Sequence, residues 1–294
     1  MEEPKIKVIG IGNGGINAVN LMIEHKLNGL EFVAMDVDSQ DVEKSNAQTR
    51  IQLKEKVEDS ISNIRVTLKD SDMVIVVCGM GGKTAANVTP IVTCLAKEMG
   101  ILTVAVVTKP FNFEGKAKTE VAINGLKKLK DSTDSLIVID NNKLVEAVIK
   151  YNSFKETFNL VDEVQLHAIQ SITDLVSVAG LIVVDFDDIK SVLSSSGCGL
   201  LGIGIASGEN AALNAVKLAI DSNYSDCQLT GSKGVIVNVT GGSGMTLNDV
   251  NIVGSEILDI VADNAEIVYG SIVDNRLNDD DIQVTIIATG FNDI

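Results

Sequence analysis

Short runs of valine and isoleucine alternate with helical patterns along the first half of the chain. Five of these runs are apolar almost throughout, which is typical of parallel strands covered by helices on both faces. They are KIKVIGIG, EFVAMDV, DMVIVVCGM, LTVAVVTKP and SLIVID. Apolar residues three and four positions apart mark the intervening segments NAVNLMIEHKL, VEDSISNIRVTLKD and TPIVTCLAKEMG. The alternation predicts a series of βαβ units and therefore an α/β fold with a doubly wound parallel sheet.

The pattern changes in the second half of the chain. A stretch without proline, from about residue 152 to residue 176, predicts one long helix. Beyond it lie four strand-like runs, GLLGIGIASG, KGVIVNVTGG, AEIVYGSIVD and IQVTIIATGF, with helical patterns in ENAALNAVKLAID and TLNDVNIVGSEILDIVAD. We therefore predict a first domain over residues 1–151, a central helix over 152–177 and a second, smaller α/β domain over 178–294.

Composition narrows the class of protein. The 294 residues are 45% hydrophobic, which is enough for about two packed cores, and the net charge of -16 argues against a nucleic-acid partner. The N-terminal stretch MEEPKIKVIG lacks the pattern of a signal peptide, and no apolar run is long enough for membrane insertion, so we expect a cytoplasmic protein. The four cysteines show no CxxC spacing and there are only two histidines, so we expect reduced thiols and no metal site.

The loop after the first predicted strand reads GIGNGGINA. Gly10, Gly12 and Gly15 fit the pattern G-x-G-x-x-G between a strand and a helix, where backbone N–H groups can face an anion. Asp36 ends the second predicted strand, where a dinucleotide-binding fold places its ribose-binding acid. Taken alone, this loop favours an NAD-dependent Rossmann enzyme, or a tight strand-to-helix turn without a ligand.

A second glycine-rich loop follows the third predicted strand, in GMGGKTAANV. A nicotinamide domain needs one phosphate turn, so two such loops favour a ligand with a longer phosphate chain. The pair Lys83-Thr84 imitates the end of a Walker A motif, but that motif needs glycine at the position of Val77 and is therefore rejected. The next two strands end in VTKPFNFEG and VIDNNKL, which places four further residues at the same edge, Phe111, Glu114, Asn141 and Lys143.

Six stretches together resemble FtsZ, the bacterial and archaeal relative of tubulin. They occur in the family's order over nearly the whole chain, as IGIGNGGINAVN, VCGMGGKTAANVTPIV, LTVAVVTKPFNFEGKAK, GLIVVDFDDIKSVL, GIGIASGENAALNAVKLAI and GVIVNVTGG. The resemblance implies a GTP-binding domain, a long central helix and an activation domain. It also implies a cytoskeletal protein of cell division that forms head-to-tail filaments, in which the activation domain of one subunit completes the GTP site of the next.

The resemblance implies nucleotide-binding roles for matching positions. Those of the two phosphate loops are Gly12, Gly14, Gly15, Asn17, Gly81, Gly82, Lys83 and Thr84. Glu114, Lys118 and Asn141 match positions that contact ribose or base, with Lys118 replacing the usual arginine. Phe158 matches an aromatic that stacks on guanine, although an ordinary core aromatic remains an alternative. Asp162 matches the residue that reads the edge of guanine, and a carboxylate suits this role because it accepts from both N1–H and the N2 amino group.

Departures from the family cluster where phosphate is held. The family's loop GGGTGTG reads GGKTAAN here, so that Ala85 and Asn87 replace glycines and one threonine hydroxyl is lost. We expect their Cβ atoms to obstruct the approach to phosphate and any conformation with positive φ. The segment between Leu53 and Asp72 is also shorter than in typical FtsZ, and it lacks the glycine-rich loop that senses the γ-phosphate.

The catalytic acids of the activation domain are retained. Asp185 and Asp188 match the two acids of the family motif NxDFxD that polarise the attacking water, while Val183 replaces the asparagine. The resemblance implies GTP or GDP as ligand, with Mg²⁺ as a candidate companion ion. The sequence ends at GFNDI, before the linker and peptide with which FtsZ binds membrane tethers, so no tether is assigned.

Three hypotheses follow from these observations. The first is a divergent FtsZ that binds guanine nucleotide, forms filaments and hydrolyses GTP weakly. The second is a pseudo-GTPase of the same fold that acts as a structural filament or regulator. An inward-pointing Lys83 would favour the first, because an ammonium could replace lost backbone donors. The third, an NAD-dependent Rossmann enzyme, leaves the second glycine loop and the second domain without a role.

Overall fold

The computed structural model describes residues 3–148, 154–177, 182, 184–194, 196–222, 224 and 228–291. Of residues 145–148, 154–159 and 177 it describes the backbone alone. The chain divides into two compact units, Met1–Ile169 and Gln170–Ile294, and the division falls within helix α7 (Phe154–Ser177). The domain boundaries given above remain predictions.

The first unit carries six parallel strands in the order β3-β2-β1-β4-β5-β6. The strands are β1 (Ile6–Ile11), β2 (Leu30–Asp36), β3 (Thr49–Gln52), β4 (Met73–Gly79), β5 (Leu102–Lys109) and β6 (Ser135–Asp140). The helices are α1 (Gly12–Glu24), α2 (Ser39–Glu43), α3 (Ile61–Leu68), α4 (Lys83–Glu98), α5 (Lys116–Ser132) and α6 (Asn141–Val148), followed by the part of α7 up to Ile169. Strand order reverses between β1 and β4, and ligands bind at the carboxyl ends of the strands at such a switch point.

The predicted doubly wound sheet is confirmed. The five apolar runs are β1, β2, β4, β5 and β6, and all six residues of β1 are buried, as expected of a strand covered on both faces. Strand β3 has no such run, because the residues of TRIQ alternate between half-buried and exposed. Helix α4 begins six residues before its predicted segment and continues through Pro90.

The second unit carries four strands, in the order β7-β10-β8-β9. Its elements are α8 (Phe186–Leu193), β7 (Gly197–Ser207), α9 (Ala211–Asp221), β8 (Gly234–Gly241), α10 (Leu247–Leu258), β9 (Glu266–Val273) and β10 (Asp281–Phe291). Strand β10 is antiparallel to β7 and β8, whereas β8 and β9 are parallel. Alternate residues of β8, such as Val237 and Val239, pack with α9 and α10 in one apolar core. The four strands and two helices predicted for this part of the chain are therefore present.

Candidate functional site

A cavity of about 390 Å³ opens at the switch point of the first unit. Its wall is built by the ends of β4 and β5, the segments that follow them, and residues of α1, α5, α6 and α7. The lining residues are Asn13, Gly14, Asn17, Gly79, Gly81, Gly82, Thr108, Pro110, Glu114, Lys118, Asn141, Val161, Asp162 and Gln165. The volume lies within the range of small-molecule sites.

The first glycine loop places the start of α1 against the sheet. Gly12 has a φ of +74°, which side chains rarely adopt. A Cβ on Gly15 would lie 2.2 Å from the carbonyl oxygen of Val77, so only glycine lets α1 approach β4 this closely. Gly14 is exposed and lines the cavity, and a Cβ there would meet nothing closer than 3.6 Å. Gly12 and Gly15 therefore shape the turn, while Gly14 faces the cavity.

The second glycine loop leads into α4. Gly79, Gly81 and Gly82 line the cavity, and Gly82 is the N-cap residue of the helix. No side chain caps α1 or α4, and neither helix has an acidic residue in its first turn. The first N–H groups of both helices are thus not taken by a cap, and helix N-termini attract anions. This part of the cavity is suited to phosphate.

Helix α4 bears on one part of the expectation for the phosphate loop, the need for positive φ. Ala85 and Asn87 lie within the helix and have no positive φ, so their replacement of glycine causes no backbone strain. A Cβ on Gly12 would lie 3.8 Å from the Cβ of Ala85, an ordinary van der Waals distance. Lys83 is exposed and Thr84 is half-buried, and neither lines the cavity.

Glu114 and Lys118 form an ion pair at the cavity wall. Glu114 accepts hydrogen bonds from the backbone N–H of Phe111 at 2.9 Å and from Nζ of Lys118 at 2.8 Å. The Lys118 side chain is 53% exposed, so the pair contributes little to stability.

Asn141 is buried at the start of α6 and lines the cavity. Its Oδ1 has no hydrogen-bond partner among the described residues. The neighbouring Asn142 differs, because its Oδ1 accepts from the N–H of Asn112 at 2.9 Å and its Nδ2 donates to Asp140 at 2.9 Å. Asn142 thus links the end of β6 to the segment after β5, whereas Oδ1 of Asn141 is left available to a ligand.

Helix α7 contributes Val161, Asp162 and Gln165 to the wall. The Nε2 of Gln165 donates to the carbonyl oxygen of Val106 at 3.3 Å, which ties the helix to β5. Burial, assisted by the negative charge of Glu163, raises the pKa of Asp162 to about 7. A partly buried carboxyl with a perturbed pKa in a cavity is typical of a functional group.

Eight of the predicted nucleotide-binding residues line the cavity. They are Gly14, Asn17, Gly81, Gly82, Glu114, Lys118, Asn141 and Asp162. Gly12, Gly15, Lys83 and Thr84 do not line it, and the side chain of Phe158 lies outside the described part of the structure.

The cavity also contains residues that sequence reasoning missed. They are Asn13, Thr108, Pro110, Val161 and Gln165. The position of Gln165, three residues after Asp162 on one helix face, was a usable signal. Asn13 accepts a hydrogen bond from Nδ2 of Asn17 at 3.0 Å, the spacing of one helical turn.

The predicted catalytic acids belong to the second unit. Asp185 is the N-cap residue of α8 and Asp188 lies in its first turn, and both are exposed. The backbone carbonyl of Asp185 accepts from the N–H of Asp188 at 3.1 Å. Val183 lies outside the described residues.

Asp36 does not support the dinucleotide hypothesis. It is buried, does not line the cavity, and its Oδ1 accepts hydrogen bonds from the backbone N–H groups of Val37 at 2.6 Å and Asp38 at 3.2 Å. The carboxylate therefore shapes the turn after β2.

The described residues offer no metal cluster or membrane span. They contain no group of three or more His, Cys, Asp or Glu side chains that could hold a metal ion. None of the described helices combines the length and apolar character needed to cross a membrane. Cys78 and Cys94 are free thiols, and Cys227 lies outside the described residues.

Comparisons with known proteins agree with this geometry. Residues 54–149 match the Tubulin/FtsZ family, GTPase domain, and residues 197–292 match the FtsZ family, C-terminal domain. An empty FtsZ dimer from M. jannaschii has a TM-score of 0.94 and 32% identity, over 99% of this chain and 89% of that one. Two Haloferax volcanii proteins share the fold at lower identity. A GDP-bound CetZ1 monomer has a TM-score of 0.77 and 16% identity, over 99% of this chain and 95% of that one. A GTPγS-bound CetZ2 protofilament has a TM-score of 0.79 and 17% identity, over 97% of this chain and 92% of that one.

The match to the M. jannaschii protein extends over both units and exceeds what a shared fold alone requires. The two family models divide between the same two units. Together with the two glycine loops and the motif order along the chain, these matches show that the chain belongs to the FtsZ family, within the tubulin and FtsZ superfamily.

Proposed function

We propose that this chain binds guanine nucleotide in the cavity of its first unit and assembles head to tail into filaments. The observation that carries the proposal is the meeting of two glycine loops, the incompletely bonded amide of Asn141 and the carboxyl of Asp162 in one cavity. Phosphate needs donors, and guanine needs acceptors for N1–H and the N2 amino group. The cavity supplies both.

The phosphates would be held mainly by backbone groups. Lys118 is the one cationic side chain among the residues that line the cavity, and it is paired with Glu114. The uncapped N-termini of α1 and α4 supply N–H donors and positive dipole ends instead. This arrangement supports a nucleotide site without a P-loop lysine.

Mg²⁺ would depend on the nucleotide for most of its ligands. No described cluster of His, Cys, Asp or Glu side chains could hold a metal ion. Magnesium in nucleotide sites commonly keeps several waters and binds phosphate oxygens. The ion is therefore proposed only as a companion of bound GTP.

Assembly and a role in cell division are proposed from the family. The M. jannaschii relative is an empty dimer and CetZ2 forms a GTPγS-bound protofilament. In such a filament, Asp185 and Asp188 of one subunit would polarise water beside the nucleotide of the next. Both acids are exposed at the start of α8, where the helix dipole favours their ionised form.

We further propose that GTP hydrolysis is weak. None of residues 53–72, where the family has its γ-phosphate loop, lines the cavity. Lys83, the substitute cation considered above, is exposed and does not line it either. Fewer fixed donors around the γ-phosphate lower the rate, since one preorganised donor contributes about 10²–10³ in other enzymes. The position of Lys83 also favours the second candidate, a pseudo-GTPase filament.

Equilibrium binding of GDP, GTP and NAD at pH 8 tests the proposal. We expect the guanine nucleotides to bind and NAD not to bind. Asp162→Ala should weaken binding by about 5- to 150-fold, which corresponds to about 1–3 kcal/mol for a charge-assisted hydrogen-bond pair. Glu163→Ala removes an exposed carboxylate from the next position and serves as the matched control. Equal GTP affinity of the wild type and Asp162→Ala would contradict the proposal.

A further inference from the structure

Two other charged side chains line the cavity with Asp162. They are Glu114 and Lys118, from the β5–α5 segment, and they pair with each other. Asp41 of α2 does not line the cavity; it accepts from Nδ2 of the lining residue Asn13 at 3.2 Å and from Nζ of Lys44 at 3.0 Å. Beside Asp162 on α7 is the exposed Glu163.

Other charged side chains of α4, α6 and β6 do not line the cavity. Lys83 of α4, Lys143 of α6 and Asp140 of β6 are not among the lining residues. Within the described part of the chain, the cavity therefore offers Asp162 no unpaired cation that would hold it in the ionised form. Gln165, one turn along α7, is neutral and bonded to β5.

The two protonation states of such a carboxyl recognise different bases. The ionised form has two acceptors, which match the N1–H and N2 amino donors of guanine. The neutral form has one donor and one acceptor, which match the N1 acceptor and N6 amino donor of adenine. A proton on this group therefore changes the complementary base as well as the affinity.

We propose that the protonation state of Asp162 determines the base preference of the cavity. The ionised carboxylate favours guanine, and the preference for guanine disappears when the carboxyl is neutral. The inference rests on the proposed nucleotide site. Burial and the charge of Glu163 raise the pKa of this group to about 7, so both forms are populated near neutral pH. With that pKa, the ionised fraction and the guanine affinity fall by about tenfold between pH 8 and pH 6.

The test is the ratio of GDP to ADP affinity from pH 6 to pH 8.5. Both ligands carry the same diphosphate, so titration of the phosphates cancels in the ratio. We expect the wild-type preference for GDP to fall at least about tenfold from pH 8 to pH 6. Asp162→Asn carries one donor and one acceptor at every pH, so its ratio should stay constant at the low-pH value of the wild type.

Glu163→Gln provides a second, milder variant. Removing this exposed charge should lower the pKa of Asp162 and move the midpoint of the ratio to lower pH, while the limiting ratio at high pH is unchanged. This variant keeps the test decisive if Asp162→Asn fails to fold.

Two outcomes would overturn the inference alone. One is a wild-type ratio that does not change between pH 6 and pH 8.5, and the other is a midpoint that Glu163→Gln leaves in place. Failure of both nucleotides to bind at any pH would instead overturn the proposed function, and the inference with it.

Discussion

Replacing Asn141 by leucine should stabilise the free protein and weaken nucleotide binding at the same time. The residue is 5% exposed, and its Oδ1 has no hydrogen-bond partner among the described residues. A buried polar atom without a partner destabilises the folded state, because it has lost its water and gained nothing in return. Leucine has a similar size and no polar atom.

The magnitude follows from that unpaired oxygen. An unsatisfied buried group costs about 1–3 kcal/mol, and this cost disappears in Asn141→Leu. The nucleotide loses a hydrogen-bonding amide in the same variant, which should reduce affinity by about 5- to 150-fold. The two effects have opposite signs, which a general disruption of the fold would not produce.

Asn142→Leu is the matched control. Its amide donates to Asp140 at 2.9 Å and accepts from the N–H of Asn112 at 2.9 Å, so this variant should be less stable than the wild type. Urea unfolding of the nucleotide-free proteins measures stability, and titration with GDP measures affinity. If Asn141→Leu is destabilised as much as Asn142→Leu, or binds GDP like the wild type, the reasoning is refuted.

Four further predictions concern packing, titration, assembly and turnover. Gly15→Ala should lose about 3 kcal/mol in urea unfolding, because its Cβ would lie 2.2 Å from the carbonyl oxygen of Val77, whereas Gly14→Ala should keep its stability. Burial raises the pKa of Asp162 from 3.8 to about 7, so the folded protein retains a proton that the unfolded chain releases. Wild-type stability should therefore fall as pH rises from about 4 to about 7, and Asp162→Asn should show a smaller fall over the same range. Light scattering and negative-stain microscopy should reveal concentration-dependent filaments, and a strict monomer at high concentration would count against assembly. Phosphate release should be slow and fall further in Asp185→Ala, whereas rapid release abolished by this substitution would show an ordinary FtsZ GTPase.

The sequence predicted the strands best where burial on both faces requires a continuous run of apolar residues. Strands buried on both faces must be apolar throughout, and β1, β4 and β5 were predicted for that reason. The edge strand β3 has no such requirement, so TRIQ carried no strand signal. The start of α4 was misplaced because glycines followed by lysine and threonine read as a continuing loop, although the helix begins at Lys83.

The site was predictable to the extent that parallel strands bring their carboxyl ends together. This rule predicts that Gly14, Gly81 and Asn141 lie at one edge of the sheet, and all three line the cavity there. It could not show that Asn142, next to Asn141, accepts a hydrogen bond from the backbone N–H of Asn112, because the two residues are 30 positions apart in the sequence. The tie between Gln165 and β5 likewise depends on how α7 lies on the sheet.

In the proposed function, nucleotide binding and turnover would depend on different features of this chain, so one could persist while the other declines. Binding requires backbone donors at the starts of α1 and α4, and the substitutions at Ala85 and Asn87 leave the helical backbone of α4 unstrained. Turnover requires in addition that the γ-phosphate be held in one pose while water attacks in line. The segment after β3 contributes no residue to the cavity, so the retained Asp185 and Asp188 would polarise water toward a loosely held phosphate. A filament built from such subunits would carry nucleotide mainly as a structural ligand, and its assembly would respond less to hydrolysis than to protein concentration.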